Sequence, residues 1–187
     1  MYLEIIKMNK KIIFTTGGTG GHIFPAINLM KHFSKKGYKV VLVTDRKGNN
    51  FLRKDKDVEF KSYIIKSETP LNKKLIKKFF SFFIIFFSII KSFFILKKEK
   101  PSLIIGFGGY VSFPFSLSSK ILNYPLVIYE NNLILGRANK YLLPWAKKIL
   151  ISKNIPINFN EKYKKKVFKV GAILKKNIIN YSFEKKK

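Results

Sequence analysis

Three stretches of the chain combine glycine with side chains that bind anions or move protons. Gly17-Gly18-Thr19-Gly20-Gly21-His22 sets four glycines around a threonine and ends on an imidazole. Glycine admits left-handed backbone angles and lets a ligand come close to the main chain, and the N–H groups that open a helix favour a phosphate placed against them. Gly106-Phe107-Gly108-Gly109-Tyr110 is a second such cluster, and Tyr129-Glu130-Asn131-Asn132 sets a carboxylate beside two amides. A histidine titrates near neutral pH and a carboxylate in a crevice can be tuned upward, so His22 and Glu130 are both candidates for proton transfer. Each residue also has a plainer role open to it: His22 as a helix cap, Glu130 as a surface carboxylate, Tyr110 as packing. The glycine turn fits neither common nucleotide signature. A dinucleotide fingerprint started at Gly18 needs glycine or alanine where Ile23 stands, and no Gly-Lys-Ser/Thr follows as a phosphate loop requires. Asp45, at the end of the next apolar run, keeps an NAD(P)-dependent Rossmann enzyme open as an alternative.

Such loops need strands and helices to hold them. Lys11–Thr16 is a short β-branched and aromatic run that stops at the glycine cluster, as a buried strand entering a turn does. Ile23, Ile27, Met30 and Phe33 recur at helical spacing and Gly37 follows, which predicts a helix over His22–Lys36 and a strand over Tyr38–Val43. Ser102–Gly106, Pro125–Tyr129 and Lys148–Ser152 read as further strands, with helices over Phe113–Leu122 and Leu135–Ala146. The alternation predicts an α/β fold with a doubly wound parallel sheet, Rossmann-like, over residues 9–170, with residues 1–8 as an extension ahead of it. Ligands of such sheets sit outside the C-terminal strand ends, where the three loops would meet.

Composition narrows the class. The 187 residues are 47% apolar, ample for a core, and the absence of cysteine excludes a disulfide scaffold, a thiolate metal site and a cysteine nucleophile. The first residues lack the charged head, apolar stretch and cleavage site of a secretory signal. The net charge of +28 expects an anionic partner, yet all but Arg46, Arg53 and Arg137 of the 38 basic residues are lysines. Base readers lean on the guanidinium fork, so the expected partners are anionic lipid and phosphate rather than nucleic acid.

Phe79–Leu96, FFSFFIIFFSIIKSFFIL, lies between lysine clusters and is long and apolar enough for three readings: a core helix, a helix lying in an anionic membrane surface, or a membrane span. Spanning would part the strands on either side of it and break the single sheet.

In this order and spacing, FTTGGTGGHIFPAINL (Phe14–Leu29), KPSLIIGFGGYVSFP (Lys100–Pro114) and PLVIYENNLILGRANKYL (Pro125–Leu142) resemble the MurG-like N-acetylglucosaminyltransferases of glycosyltransferase family 28. The similarity covers about residues 9–175. It implies the N-terminal, acceptor-binding half of a GT-B fold. It also implies a peripheral enzyme at the cytoplasmic face of the plasma membrane, moving N-acetylglucosamine from UDP-GlcNAc to lipid I, the undecaprenyl-diphosphate-linked acceptor of peptidoglycan synthesis. No metal or other cofactor is expected, because GT-B enzymes meet the leaving diphosphate with helix dipoles.

By position, Thr19, Gly20 and Gly21 match the family's glycine loop at the nucleotide-sugar and diphosphate cleft, and Asn132 matches an asparagine lining that cleft. His22 matches a histidine important for activity, and Tyr110 and Glu130 match residues on the acceptor side. Lys175 stands where a donor-contacting arginine is expected, which keeps the charge and loses the bidentate fork. The sequence departs from the family pattern at Tyr129 (histidine), Asn131 (glutamine) and Leu133 (glycine). Residues 171–187 read as the remnant of an interdomain linker, with the C-terminal donor domain absent. The expectation is therefore a chain inactive alone, either paired with a separately encoded donor domain or a truncated or decaying gene product; the alternative is a non-enzymatic module that binds membrane and lipid diphosphate.

Overall fold

A computed structural model describes residues 10–54, 60–66 and 75–174, with side chains from Phe79 onward in the last segment. The expected extension at residues 1–8 lies outside them. In chain order the elements are β1 (Lys11–Thr15), α1 (Gly20–Lys35), β2 (Lys39–Thr44), α2 (Arg46–Arg53), β3 (Lys61–Ile64), α3 (Leu75–Glu99), β4 (Leu103–Gly106), α4 (Ser112–Ile121), β5 (Leu126–Glu130), α5 (Arg137–Leu142), β6 (Lys148–Ile151), a 3-10 turn (Glu161–Lys166) and β7 (Val167–Lys169). The seven strands form one parallel sheet in the order β3-β2-β1-β4-β5-β6-β7. The α/β, doubly wound expectation is met.

Both faces of the sheet are covered, so β1 is nearly continuous in apolar residues and divides them by alternation. Ile12 and Phe14 pack with Ile23, Ala26, Ile27 and Met30 of α1 and Leu52 of α2, while Ile13 faces Ile95 and Leu96 of α3, Phe115 of α4 and Leu142 of α5. The strand order reverses between β1 and β4, and in open α/β sheets ligands bind outside the C-terminal strand ends at such a point.

α3 is apolar on the wrong side for a soluble helix. Ser81, Ser88 and Ser92 lie buried in one stripe with Ile95, Leu96 and Glu99, whereas Phe79, Phe80, Phe82, Phe83, Phe86, Phe87 and Phe94 are 47–65% exposed. The small buried serines let neighbours approach. The Ser88 hydroxyl donates to the Lys66 carbonyl, and Ser118 Oγ of α4 donates to the Ile89 carbonyl at 3.0 Å. Lys91 Nζ reaches the carbonyl of Ile64, the last residue of β3, at 2.8 Å. α3 thus runs back along the sheet with its first half beyond the C-terminal end of β3. By length and composition Phe79–Glu99 is apolar enough to cross a membrane. The strands on either side of it belong to one sheet, however, and a crossing would separate them. The core reading therefore holds for the serine stripe only.

At the opposite edge of the sheet, Glu99 ends α3 as a buried carboxylate. It takes Lys11 Nζ and Lys61 Nζ at 2.6 Å each and the Tyr63 hydroxyl, which pins β1 and β3 to the helix. Burial pushes its carboxyl up, but these three hydrogen bonds outweigh it and hold it at about 2.

Candidate active site

The two glycine clusters touch backbone to backbone. Gly17 N donates to Gly108 O at 3.0 Å, and a Cβ on Gly109 would stand 2.7 Å from Gly17 Cα. Gly108 and Gly109 have φ of 87° and 82°, so both proximity and conformation demand glycine there. Ser112, at the start of α4, locks this contact: its hydroxyl reaches Gly108 O at 2.7 Å and Thr15 O at 3.0 Å. Asp45 braces the turn from the other side, accepting from Gly18 N at 2.9 Å and from Gly48 N at 2.7 Å. Both of its oxygens are thereby engaged, and the reading of Asp45 as a ribose ligand gives way to a structural one.

The result is an open first turn of α1. Thr19 is the N-cap, exposed and without a side-chain cap bond, and no acidic residue occupies the first turn. His22, in that turn, packs against Gly108, where an added Cβ would stand 3.2 Å from its Cε1. Burial pushes its imidazole below the ordinary 6.5, and the Glu130 charge pulls the other way. The ring is therefore neutral at pH 7 and able to accept a proton.

Glu130, at the end of β5, is 1% exposed. Its Oε1 accepts from Asn132 N at 3.0 Å and Asn132 Nδ2 at 2.9 Å; its Oε2 accepts from Gly136 N at 2.9 Å and Asn139 Nδ2 at 3.0 Å. Four donors make Glu130 the organiser of the 131–136 loop rather than a free surface carboxylate. The loop is further tied to the stretch after β6, since Ile157 N donates to Leu133 O at 2.9 Å and Leu135 N to Asn158 Oδ1 at 2.7 Å.

Thr19, Gly20, Gly21, His22, Tyr110, Glu130 and Asn132 therefore all lie at the C-terminal edge around β1, β4 and β5, with Tyr110 half exposed beside the glycine contact. Lys175 lies outside the described residues. So does the one Asp-x-Asp of the chain, Asp55-Lys56-Asp57. Sequence reasoning left Asn139 without a role, although it sits in the Gly-x-x-Asn-Lys motif. Buried and bonded to both Glu130 Oε2 and the Tyr129 carbonyl, it fixes the carboxylate.

Comparison with known proteins places this geometry. Residues 12–151 match the model described as "Glycosyltransferase family 28 N-terminal domain". The chain belongs to glycosyltransferase family 28. Among family relatives, a Pelagibacter ubique protein named "UDP-N-acetylglucosamine--N-acetylmuramyl-(pentapeptide) pyrophosphoryl-undecaprenol N-acetylglucosamine transferase" is 37% identical over 173 residues, covering 92% of this chain and 47% of the relative. A protein of the same name from the Wolbachia of Brugia malayi is 40% identical over 141 residues, covering 75% and 38%. The crystal structure of Acinetobacter baumannii MurG superposes with a TM-score of 0.72 at 28% identity, over 89% of this chain and 47% of that one. The chain thus spans about half the length of these relatives or less, and its sheet corresponds to the N-terminal half of a GT-B fold. A UDP-GlcNAc 2-epimerase from Methanocaldococcus jannaschii, at 16% identity and a TM-score of 0.62, shares the fold alone.

Proposed function

We propose that the chain is the acceptor-binding half of an N-acetylglucosaminyl transfer from UDP-GlcNAc to lipid I, working peripherally at the cytoplasmic face of the membrane. The observation that carries this reading is the meeting of His22, an open helix start and two interlocked glycine loops at the switch point of the sheet, in a member of family 28. The α1 N–H groups of the first turn suit a diphosphate without calling on a metal or other cofactor. In the transfer, an acceptor hydroxyl oxygen attacks the anomeric carbon, the bond from that carbon to UDP breaks with its electron pair leaving on UDP, and the hydroxyl proton passes to a base. His22 suits that role, being neutral and half buried, while the Glu130 oxygens are held by four donors. Tyr110 and Asn132 flank the acceptor side. Lys175 offers a point charge to the donor. The family relatives named for the complete transfer are about twice as long, so the transfer step belongs to this domain together with a donor-binding domain, in the same chain or a separate one.

The phenylalanines of α3 support membrane attachment. Six of the exposed rings, Phe79 to Phe87, precede the level where Ser88 and Lys91 meet the end of β3, and so lie at the edge of the sheet that bears the site. A bilayer contacting them holds a lipid-linked diphosphate near the glycine loops. Co-sedimentation with anionic vesicles, with and without lipid I, tests the proposal. Lipid I is expected to tighten binding about tenfold, and Tyr110→Ala and Asn132→Ala to abolish that increment while leaving binding to plain vesicles unchanged. Equal binding to both kinds of vesicle refutes the acceptor reading.

A further inference from the structure

Tyr129 stands between two parts of the molecule that no other side chain named above joins. Its ring is buried at 1% exposure and packs on Phe107 with centroids 5.4 Å apart. Its hydroxyl lies 3.2 Å from Asn131 Oδ1, in the loop organised by Glu130, and 3.3 Å from the carbonyl oxygen of Gly171, in the segment that leaves β7. The same oxygen accepts the Ile173 N–H at 3.2 Å. Gly171 turns the chain at φ 83°, and Ile173 packs on the cluster that contains Tyr129.

A phenol has one proton to donate. It serves Asn131 or Gly171 fully, not both, and the two acceptors compete at nearly equal distance. We propose that Tyr129 is a positioning residue that couples the site loop to the 170–174 segment. When a ligand takes up the Asn131 amide oxygen, the phenol proton turns to Gly171 and the segment is held more tightly. When Asn131 claims the proton, the segment is held by the Ile173 N–H alone. The matched domain is the N-terminal one of its family, so the path beyond 174 is where longer relatives continue. Occupancy of the loop thereby biases the direction in which the chain leaves the domain. The link to a ligand rests on the acceptor reading above; the competition for the proton does not.

Amide hydrogen exchange at Ile173, in the full chain without ligand, separates this coupling from simple packing. Tyr129→Phe removes the acceptor, and exchange at Ile173 is expected to quicken about fivefold, as loss of one ordinary hydrogen bond implies. Asn131→Ala leaves Gly171 as the sole acceptor and is expected to slow exchange at Ile173 by a similar factor, while the double variant behaves as Tyr129→Phe alone. A purely structural tyrosine gives no such slowing. Unchanged or faster exchange at Ile173 in Asn131→Ala overturns the proposal, and because Asn131 is exposed this variant stays decisive even if Tyr129→Phe folds poorly. The lipid I experiment can fail while this result stands, and the reverse, so the two readings fall separately.

Discussion

At the scale of single residues, the site turns on how burial and charge divide the work between His22 and Glu130. Burial lowers the affinity of the imidazole for a proton and the Glu130 charge raises it. Glu130→Gln removes the charge, so the His22 titration, followed by its ring proton shifts, is expected to move still further below 6.5. Glutamine also brings an NH2 group to donors that expect oxygen, at a cost of about 1–3 kcal/mol in stability. The sign of the pH effect in the native chain follows. The folded imidazole binds its proton more weakly than the unfolded one, so the unfolded state takes up more protons as pH falls through 6.5, and stability declines there. His22→Asn is expected to flatten that decline; a decline of undiminished size would place its origin elsewhere.

At the scale of elements, the inverted helix α3 makes a prediction that a core helix does not. Phe82 and Phe86 are 61% and 58% exposed, so changing both to serine is expected to leave thermal stability within about 0.5 kcal/mol. Vesicle affinity is expected to fall roughly tenfold or more, because each ring withdrawn from the bilayer forfeits on the order of 1 kcal/mol of burial. Retained affinity in that variant would remove α3 from the membrane contact. The far end of α3 carries a separate prediction. With Glu99 held at about 2, the ion cluster supports the fold above the unfolded value near 4.5, and that support fades between pH 4.5 and about 2. It amounts to on the order of 3 kcal/mol before solvent trims the half-exposed Lys61 contact. Glu99→Gln is expected to be less stable than the native chain at pH 7 and equal to it near pH 2, by denaturant melts at each pH.

Elements also show where the sequence was legible. β1, β4 and β5 stood out because both their faces are buried, and their glycine or polar ends marked the site loops. α2 did not, since Arg46-Lys47-Gly48-Asn49-Asn50 holds poor helix formers. Its start is set by the Asp45 cap and its glycine by Thr44, whose Oγ1 would lie 2.1 Å from any Cβ at Gly48. β3 and β7 are the two edge strands and only partly buried, so neither carries the apolar run that marks β4 and β6 at similar length. α5 was expected over Leu135–Ala146 but forms over Arg137–Leu142; its start is delayed because Leu135 and Gly136 are drawn into bonds with Asn158 and Glu130. Loop closure likewise hid the role of Glu130: the sequence displays a carboxylate, not the four N–H groups of Asn132, Gly136 and Asn139 that close on it.

At the scale of the whole molecule, the +28 charge gains a direction. Of the four carboxylate residues among those described, Glu99 and Glu130 are buried, Asp45 is spent on the glycine turn, and Glu161 alone is exposed. The described surface is thus nearly uniform in sign, and it attracts any anionic surface from a distance set by the ionic strength. Attraction by lysines and burial of phenylalanines respond differently to salt. At about 0.1 M salt the charges act over roughly 10 Å; near 1 M the range shrinks to about 3 Å, whereas the apolar contribution persists. Binding to anionic vesicles is therefore expected to weaken steeply over that range and to level off at a residual affinity. Phe82→Ser/Phe86→Ser should lower that residue of binding and leave the steep part intact, and replacing anionic by neutral lipid should do the opposite. Binding that vanishes entirely in salt, with the phenylalanines in place, would mean that the rings of α3 never enter the bilayer and that charge alone brings the chain to the membrane.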